Sequence, residues 1–316
     1  MNDIFNDNVS LKTETPAIAK HVLQEVRSIN VVSLFNGMGT LRQAFHNLGI
    51  KVNKYYSSEI KPYAIELTQH HFPDTIQVGD VTKWKEWDID WKSIDLILSG
   101  SPCQDLSAAG KRAGINGSRS SLFFVFVEIL EHIKKLNPNV LFLQENVGSA
   151  SKLDVGIMSR ALGVYPVRIN SKLVTAQLRD RYYWSNIKTK QTMFDIVTDI
   201  PQPKDKGIYL KDIITSGEVK RKKANCLTQG LIEKNGRHKV KDFNNWQKFL
   251  LKRPCSMVIL ITENNFVRLP NNIEMCRLQG FSDNYCDILS DIKAGSLLGD
   301  GWTLPIIEHI FNFIER

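Results

Sequence analysis

An α/β fold, with a mostly parallel sheet covered by helices on both faces, is what this sequence predicts. Over the first 190 residues, short β-favouring runs alternate with helix-period segments, the order that builds parallel strands joined by crossover helices. The runs, such as Ile94-Asp95-Leu96-Ile97-Leu98, are short and nearly all apolar, as strands buried on both faces are. Several end in glycine or an acid, at the edge where such folds bind ligands.

The elements follow in order. Asn30–Phe35 reads as a strand, and Asn36-Gly37-Met38-Gly39 as the turn into a helix over Leu41–Leu48. Two glycines at such a turn let backbone approach a ligand closely, although Arg42 stands where a dinucleotide fingerprint has its third glycine. Strand Val52–Ser57 leads through Glu59 to a helix over Pro62–His71, and strand Thr75–Val78 leads to Gly79-Asp80. Strand Ile94–Leu98 runs into Ser99-Gly100-Ser101-Pro102-Cys103. The helix over Ser121–Leu136 carries Leu122, Phe126, Ile129 and Ile133 at helical spacing. Strands Asn139–Leu143 and Tyr182–Ile187 follow. From about Gln191 to Glu263 the pattern weakens into an irregular region. Order returns over Val267–Phe281 and in an apolar helix, Pro305–Ile314. The division expected is a large domain of residues 1–190 plus 285–316, and a small basic region, 191–284.

Composition narrows the function classes. The five cysteines show no CxxC or Cys/His spacing, which argues for a reducing, cytoplasmic setting and against structural zinc. The N-terminal residues lack a basic leader with an apolar core, and the most apolar stretch, Leu122 to Leu130, contains Glu128. Neither a secretory signal nor a membrane span is expected. Net charge is +8, and Gln191 to Ser256 holds 14 Lys+Arg against 7 Asp+Glu. An excess confined to one segment is the footprint of a phosphate-backbone binder.

The residues at the strand ends suggest chemistry. Glu59 lies 20 residues beyond Gly39, where doubly wound folds place an acid on ribose hydroxyls, and Asp80 is a second acid on the same edge. Cys103 stands just past its strand rather than within it, the position of a reactive thiol and not of a packing one. Glu145 leaves the following strand at the same edge. Arg179 and Arg181, spaced by two, face one side of an extended segment. A thiol, an acid and paired arginines beside a nucleoside site call for an electron-poor ring as substrate. Cys226, Cys255, Cys276 and Cys286 read as structural or surface thiols.

The series LFNGMG, SSEI, GDV, GSPCQDLS, QENV, QLRDR and RLPNNIEMCRLQGF resembles the motif order of the cytosine-5 DNA methyltransferases, closest to the catalytic domain of the vertebrate de novo branch. The form is that of a stand-alone bacterial or phage enzyme. The resemblance covers nearly the whole chain except the basic stretch. It implies a Rossmann-like S-adenosylmethionine-dependent fold with a small target-recognition domain. It places the cofactor among Phe35, Asn36, Gly37, Gly39, Glu59, Ile60, Asp80, Val81, Pro102, Leu122, Asp300 and Trp302, with no metal. Cys103 would attack C6 of a flipped-out cytosine, Glu145 would hold N3 and the amino group, and Arg181, beside Arg179, would hold O2. Double-stranded DNA would meet Ser107, Arg119, Gln177, Lys220, Arg221, Lys222, Lys223 and Arg237. A cognate restriction endonuclease and a monomer or weak oligomer are the further expectations. One departure stands out: Gly299-Asp300 where the family usually has Gly-Asn, so an acceptor replaces a group that also donates. A tRNA cytosine-5 methyltransferase and a non-catalytic DNA-binding regulator are the alternative readings.

Overall fold

The computed structural model describes residues 28–102, 121–219, 221–227 and 268–314. Its central sheet has seven strands: β1 (Ile29–Leu34), β2 (Val52–Ser58), β3 (Ile76–Gln77), β4 (Leu96–Ser99), β5 (Leu141–Val147), β6 (Val167–Asn170) and β8 (Asp180–Ser185). The two-residue β7 (Gln177–Leu178) lies outside it. Spatial order is β3-β2-β1-β4-β5-β8-β6. The first five are mutually parallel, whereas β8 runs antiparallel to both β5 and β6. Strand order reverses between β1 and β4, and a doubly wound sheet opens its ligand crevice at that point.

Alternation along each strand sorts the core into two layers. Val31, Leu96, Leu98 and Leu143 face one layer, filled by Leu41, Ala44 and Phe45 of α1 (Thr40–Asn47) and by Ile307, Ile310 and Phe311 of the last helix. Val32, Leu34, Ile97 and Phe142 face the other, filled by Phe123, Phe126, Ile129 and Ile133 of α3 (Ser121–Leu136) and by Met158 and Leu162 of α4 (Lys152–Leu162). α2 (Pro62–His71) covers the β2 side of the first layer through Ala64 and Leu67.

Beyond β8 the chain forms a β9–β10 hairpin (Thr189–Gln191, Ile196–Thr198), then β11 (Ala224–Asn225), which pairs with β7. Three helices close the fold: α5 (Asn272–Gln279), α6 (Asp291–Asp300) and α7 (Leu304–Phe311). Ile200, Leu210, Ile213, Ala224 and Leu227 share a core layer with Met275, Leu278, Val31 and Leu98. The described parts of the basic region are therefore packed onto the sheet's own core. Among the described residues no helix is long and apolar enough to cross a membrane.

The expected α2 and α3 agree with the structure to the residue. The strand expected at Tyr182–Ile187 instead starts at Asp180, which brings Arg181 into the sheet opposite Val147. β6, α4 and α6 are additions that the sequence pattern does not announce.

Candidate active site

The carboxyl ends of β1, β2, β4 and β5 open onto one cavity of about 480 Å³. Its first wall is the turn after β1. Phe35 holds a left-handed backbone with φ 55, uncommon for a bulky residue and a mark of local strain. Gly37 follows at φ 58, and its N–H donates to Glu59 Oε2 at 2.8 Å. Glu59 Oε1 accepts from the N–H groups of Ile60 and Lys61 at 2.8 and 2.9 Å. The carboxylate is thus fixed at the N-terminus of α2, with acceptor capacity left on Oε2. Asp80 Oδ1 accepts from Thr82 N and Oγ1, both at 2.9 Å, and these bonds hold its carboxyl below the usual range.

Two cofactor expectations land differently. The Asn36 side chain turns inward: its Oδ1 accepts from Ser33 Oγ and Tyr55 Oη at 2.9 Å, and its Nδ2 reaches Thr68. Only its backbone remains for a ligand. Gly39, at φ 78, caps α1, and a Cβ there would meet Thr68 and Tyr285. Gly39 therefore serves the turn rather than the cavity wall.

On the opposite wall, β4 ends in Ser99, Gly100, Ser101 and Pro102. A Cβ on Gly100 would lie 2.5 Å from Trp302 Nε1, so the indole is seated on bare backbone. Gln144 Nε2 donates to Ser101 Oγ at 2.9 Å and to the Glu145 carbonyl at 2.7 Å, tying the exits of β4 and β5. Ile60, Val81 and Leu122 add apolar surface to the cavity. Cys103, Ser107 and Arg119 lie outside the described residues, as do Lys220 and Arg237.

Glu145 and Arg181 face the same cavity and form a close pair, Nε to Oε1 at 2.7 Å. Burial pushes the Glu145 carboxyl up, and the nearby Arg181 and Arg179 charges only partly offset it. The net result is a carboxyl that holds its proton above the usual glutamate range. Arg179 is 3% exposed and donates to the carbonyls of Leu227, Gly299 and Gly301 at 2.7 to 3.2 Å. It joins three chain segments around the site. Cys226 Sγ lies 3.2 Å from Arg179 Nη1 and 3.8 Å from Arg181 Nη2. Burial pushes that thiol up, but the two guanidinium groups outweigh it and leave it below the ordinary thiol value. At the cavity mouth Lys61 Nζ pairs with Asp300 Oδ2 at 2.8 Å.

Two residues expected on DNA are engaged elsewhere. Gln177 is fully buried; its amide donates to the Leu278 carbonyl and Gln279 Oε1, and its oxygen accepts from Leu227 N–H. The Lys223 ammonium donates to the carbonyls of Lys172, Thr175 and Ile208, so its three hydrogens are spent on backbone. Arg221 and Lys222 are exposed. Sequence reasoning gives Lys61 and Gln144 no role and reads Cys226 only as a structural or surface thiol. Cys226 is 47 positions from Arg179, and only the β7–β11 pairing shows that they meet.

Comparison with known proteins identifies the family. A model of the C-5 cytosine-specific DNA methylases matches residues 29–316. The type II methyltransferase M1.ScrFI of Lactococcus lactis subsp. cremoris is 28% identical over 326 residues, spanning 93% of this chain and 80% of that protein. The orphan methyltransferase M.SPRI of Bacillus phage SPR is 34% identical over 175 residues, spanning 51% of this chain and 38% of its own. A crystal structure of a Spodoptera frugiperda DNMT2 mutant has a TM-score of 0.60 at 18% identity, covering 91% of this chain and 99% of that one. A putative DNA modification methyltransferase from an E. coli prophage gives 0.58 at 20%, covering 90% and 98%. At these identities the two structures show a shared fold. With a family model that spans nearly all of its described residues, the chain belongs to the C-5 cytosine-specific DNA methylases.

Proposed function

We propose that the chain transfers a methyl group to C5 of a cytosine flipped out of double-stranded DNA, with Cys103 as nucleophile. The observation that carries this reading is the buried Glu145–Arg181 pair, facing a nucleoside-sized cavity beside the strand exit that leads to Cys103. The donor set of the cavity fits S-adenosylmethionine. Glu59 keeps acceptor capacity for ribose hydroxyls, Asp80 keeps Oδ2 for the adenine amine, and Phe35, Ile60, Val81, Pro102 and Leu122 supply walls for the ring. When bound there, the cofactor supplies the methyl group.

The remaining steps belong to the chain. The Cys103 thiolate adds to C6 of the extruded base. Glu145, whose carboxyl burial pushes up, donates a proton to N3 and so draws charge from C6 as the thiolate arrives. Arg181 donates to O2 and stabilises the charge that develops on the ring; once C5 carries the methyl group, a base takes the C5 proton and the Cys103–C6 bond breaks, releasing the thiolate. Arg179 holds position around them. The exposed Arg221 and Lys222 contribute phosphate contacts, which position the duplex without reading it. The likeness to a type II methyltransferase favours a partner endonuclease; the likeness to an orphan phage enzyme favours none.

The test is adduct formation on duplex DNA containing 5-fluorocytosine, with S-adenosylmethionine present. Wild type is expected to form a covalent complex stable to denaturant and Cys103→Ala none, while the variant still binds DNA. Full methyl transfer by Cys103→Ala overturns the nucleophile assignment. Methyl transfer to purified tRNA but not to plasmid overturns the DNA substrate.

A further inference from the structure

Gln144 is a fully buried amide in an apolar layer. On β5 it continues the row of Phe142, and on β4 its partner in register, Ser99, continues the row of Ile97; both rows belong to the layer that α3 covers. Its Nε2 donates both hydrogens at the strand exits, one to Ser101 Oγ at 2.9 Å and one to the Glu145 carbonyl at 2.7 Å. Among the described residues its Oε1 accepts no hydrogen bond, although it is buried, and the buried Ser99 hydroxyl is likewise unpartnered. A buried amide with an unpaired oxygen costs stability, and a leucine of similar size would fill the place without that cost. Stability therefore gives no reason for a glutamine at this position. Its two bonds give one. Ser99 and Gln144 are the last pair of the β4–β5 register. Beyond them the Gln144–Ser101 bond is a side-chain cross-link that carries the pairing two residues further along β4's exit. Ser101 precedes Pro102, so its backbone is restricted to extended conformations, and the proline ring fixes the next φ. Holding the Ser101 side chain thus sets the direction in which the chain leaves β4 towards Cys103, two positions on. The same amide grips the backbone of Glu145, whose carboxylate oxygen lies 2.7 Å from Arg181.

We infer that Gln144 is a positioning residue: through Ser101 and the Glu145 backbone it fixes the spacing between the strand exit that delivers Cys103 and the Glu145–Arg181 pair. This rests on the nucleophile reading above. An extruded ring has to meet a sulfur at C6 and a proton donor at N3 at the same time, and the rate falls steeply when either is misplaced. The two groups come from neighbouring strands, so their separation is only as constant as the contact between those strands at the exits. Main-chain bonds supply that contact up to Ser99 and Gln144, and the amide supplies it beyond. The unpaired Oε1 is the stability given up for a donor at the one place where both exits lie within reach.

The experiment measures single-turnover adduct formation on duplex DNA containing 5-fluorocytosine, with DNA and S-adenosylmethionine saturating, alongside denaturant unfolding. The proteins are wild type, Gln144→Leu, Ser101→Ala and the double variant. Gln144→Leu is expected to form the adduct about tenfold more slowly, the size of one lost hydrogen bond, while its unfolding midpoint stays at or above that of wild type. Ser101→Ala should slow the step by a similar factor, and the double variant no further than either single one, because both changes remove the same bond. A lowered unfolding midpoint in Gln144→Leu makes the amide a packing element and overturns the inference. A double variant slowed by the product of the two factors makes the residues independent and overturns it too. Adduct formation by wild type with unaffected rates in the variants overturns the positioning role alone. Failure of wild type to form the adduct overturns the Cys103 reading and the positioning role together.

Discussion

Cys226 shows how far a single side chain's role depends on neighbours that are remote in the chain. Wedged against Arg179 and Arg181, it ionises more readily than an ordinary thiol. Iodoacetamide labelling of Cys226, followed by peptide mass in a Cys103→Ala background, is therefore expected to show its midpoint below that of a free thiol. Arg179→Met should move that midpoint up, and an unshifted midpoint would contradict the contact. Glu145 is displaced in the opposite direction. Transfer that needs its proton should fall as pH rises through the raised value, and Glu145→Gln should lose that limb together with about 10²–10⁴-fold in rate, measured as methyl transfer across pH. Glu145, Arg181 and the Phe35–Gly37 turn are legible in the sequence because strand ends converge on one edge. Gln177 and Lys223 are not, because a polar residue in a basic or motif-rich stretch looks solvent-facing until its acceptors are known. Their acceptors are carbonyls tens of residues away.

Helices with a bulky stripe can be read from sequence and those without one cannot. α3 presents Phe123, Phe126, Ile129 and Ile133 to the core, and its expected bounds match the structure. α4 buries Asp154 and Ser159 beside Met158 and Leu162, which blurs its period, and α6 buries Ala294, Gly295, Ser296 and Gly299. Small residues leave little hydrophobic signal. The edge strand β6 is four residues long and carries Arg168 and Asn170, so its sequence looks like loop. α5 is stabilised at its start by a reciprocal cap: Asn271 Oδ1 accepts from Glu274 N–H, and Glu274 Oε2 accepts from Asn271 N–H. Fully buried Glu274 also accepts from Thr215 and pairs with Arg268 at 2.7 Å. Glu274→Ala is expected to cost about 2–4 kcal/mol in denaturant unfolding, because Arg268 loses its partner. Burial pushes the Glu274 carboxyl up, but the bonds from Arg268, Thr215 and Asn271 outweigh it and leave it low. Its contribution is thus full above the unfolded carboxylate range and is lost as pH falls through the lowered value. At the β4 exit, Gly100→Ala would drive a methyl into the Trp302 indole and is expected to cost about 1–3 kcal/mol by the same measurement.

At the scale of the whole molecule, a mostly parallel sheet with a cavity at the strands' carboxyl ends follows from the alternation of strands and helices, whereas the packing of the basic region does not. Its described residues contribute Ile200, Leu210 and Leu227 to the main core, a contribution that composition alone hides beneath lysines. The charge excess is also smaller in effect than in count, since Lys223 is spent on carbonyls. Substituting Arg221 and Lys222 by alanine should weaken binding to all duplex sequences alike. It should flatten the salt dependence by about one unit for each phosphate no longer neutralised, read by titration at several ionic strengths. A sequence-dependent loss would instead assign these side chains to base readout.

Arg179 adds one consequence. Its guanidinium fastens Leu227, where the chain departs towards the basic segment, to Gly299 and Gly301 in the cavity wall. A planar fork that grips three carbonyls makes these two walls a single mechanical unit. Under the cofactor and DNA reading, coupling through this unit is expected to be reciprocal: whatever factor S-adenosylhomocysteine applies to DNA affinity, DNA must return to S-adenosylhomocysteine. Arg179→Lys, a point charge in place of the fork, should bring that factor towards one before it abolishes either binding event.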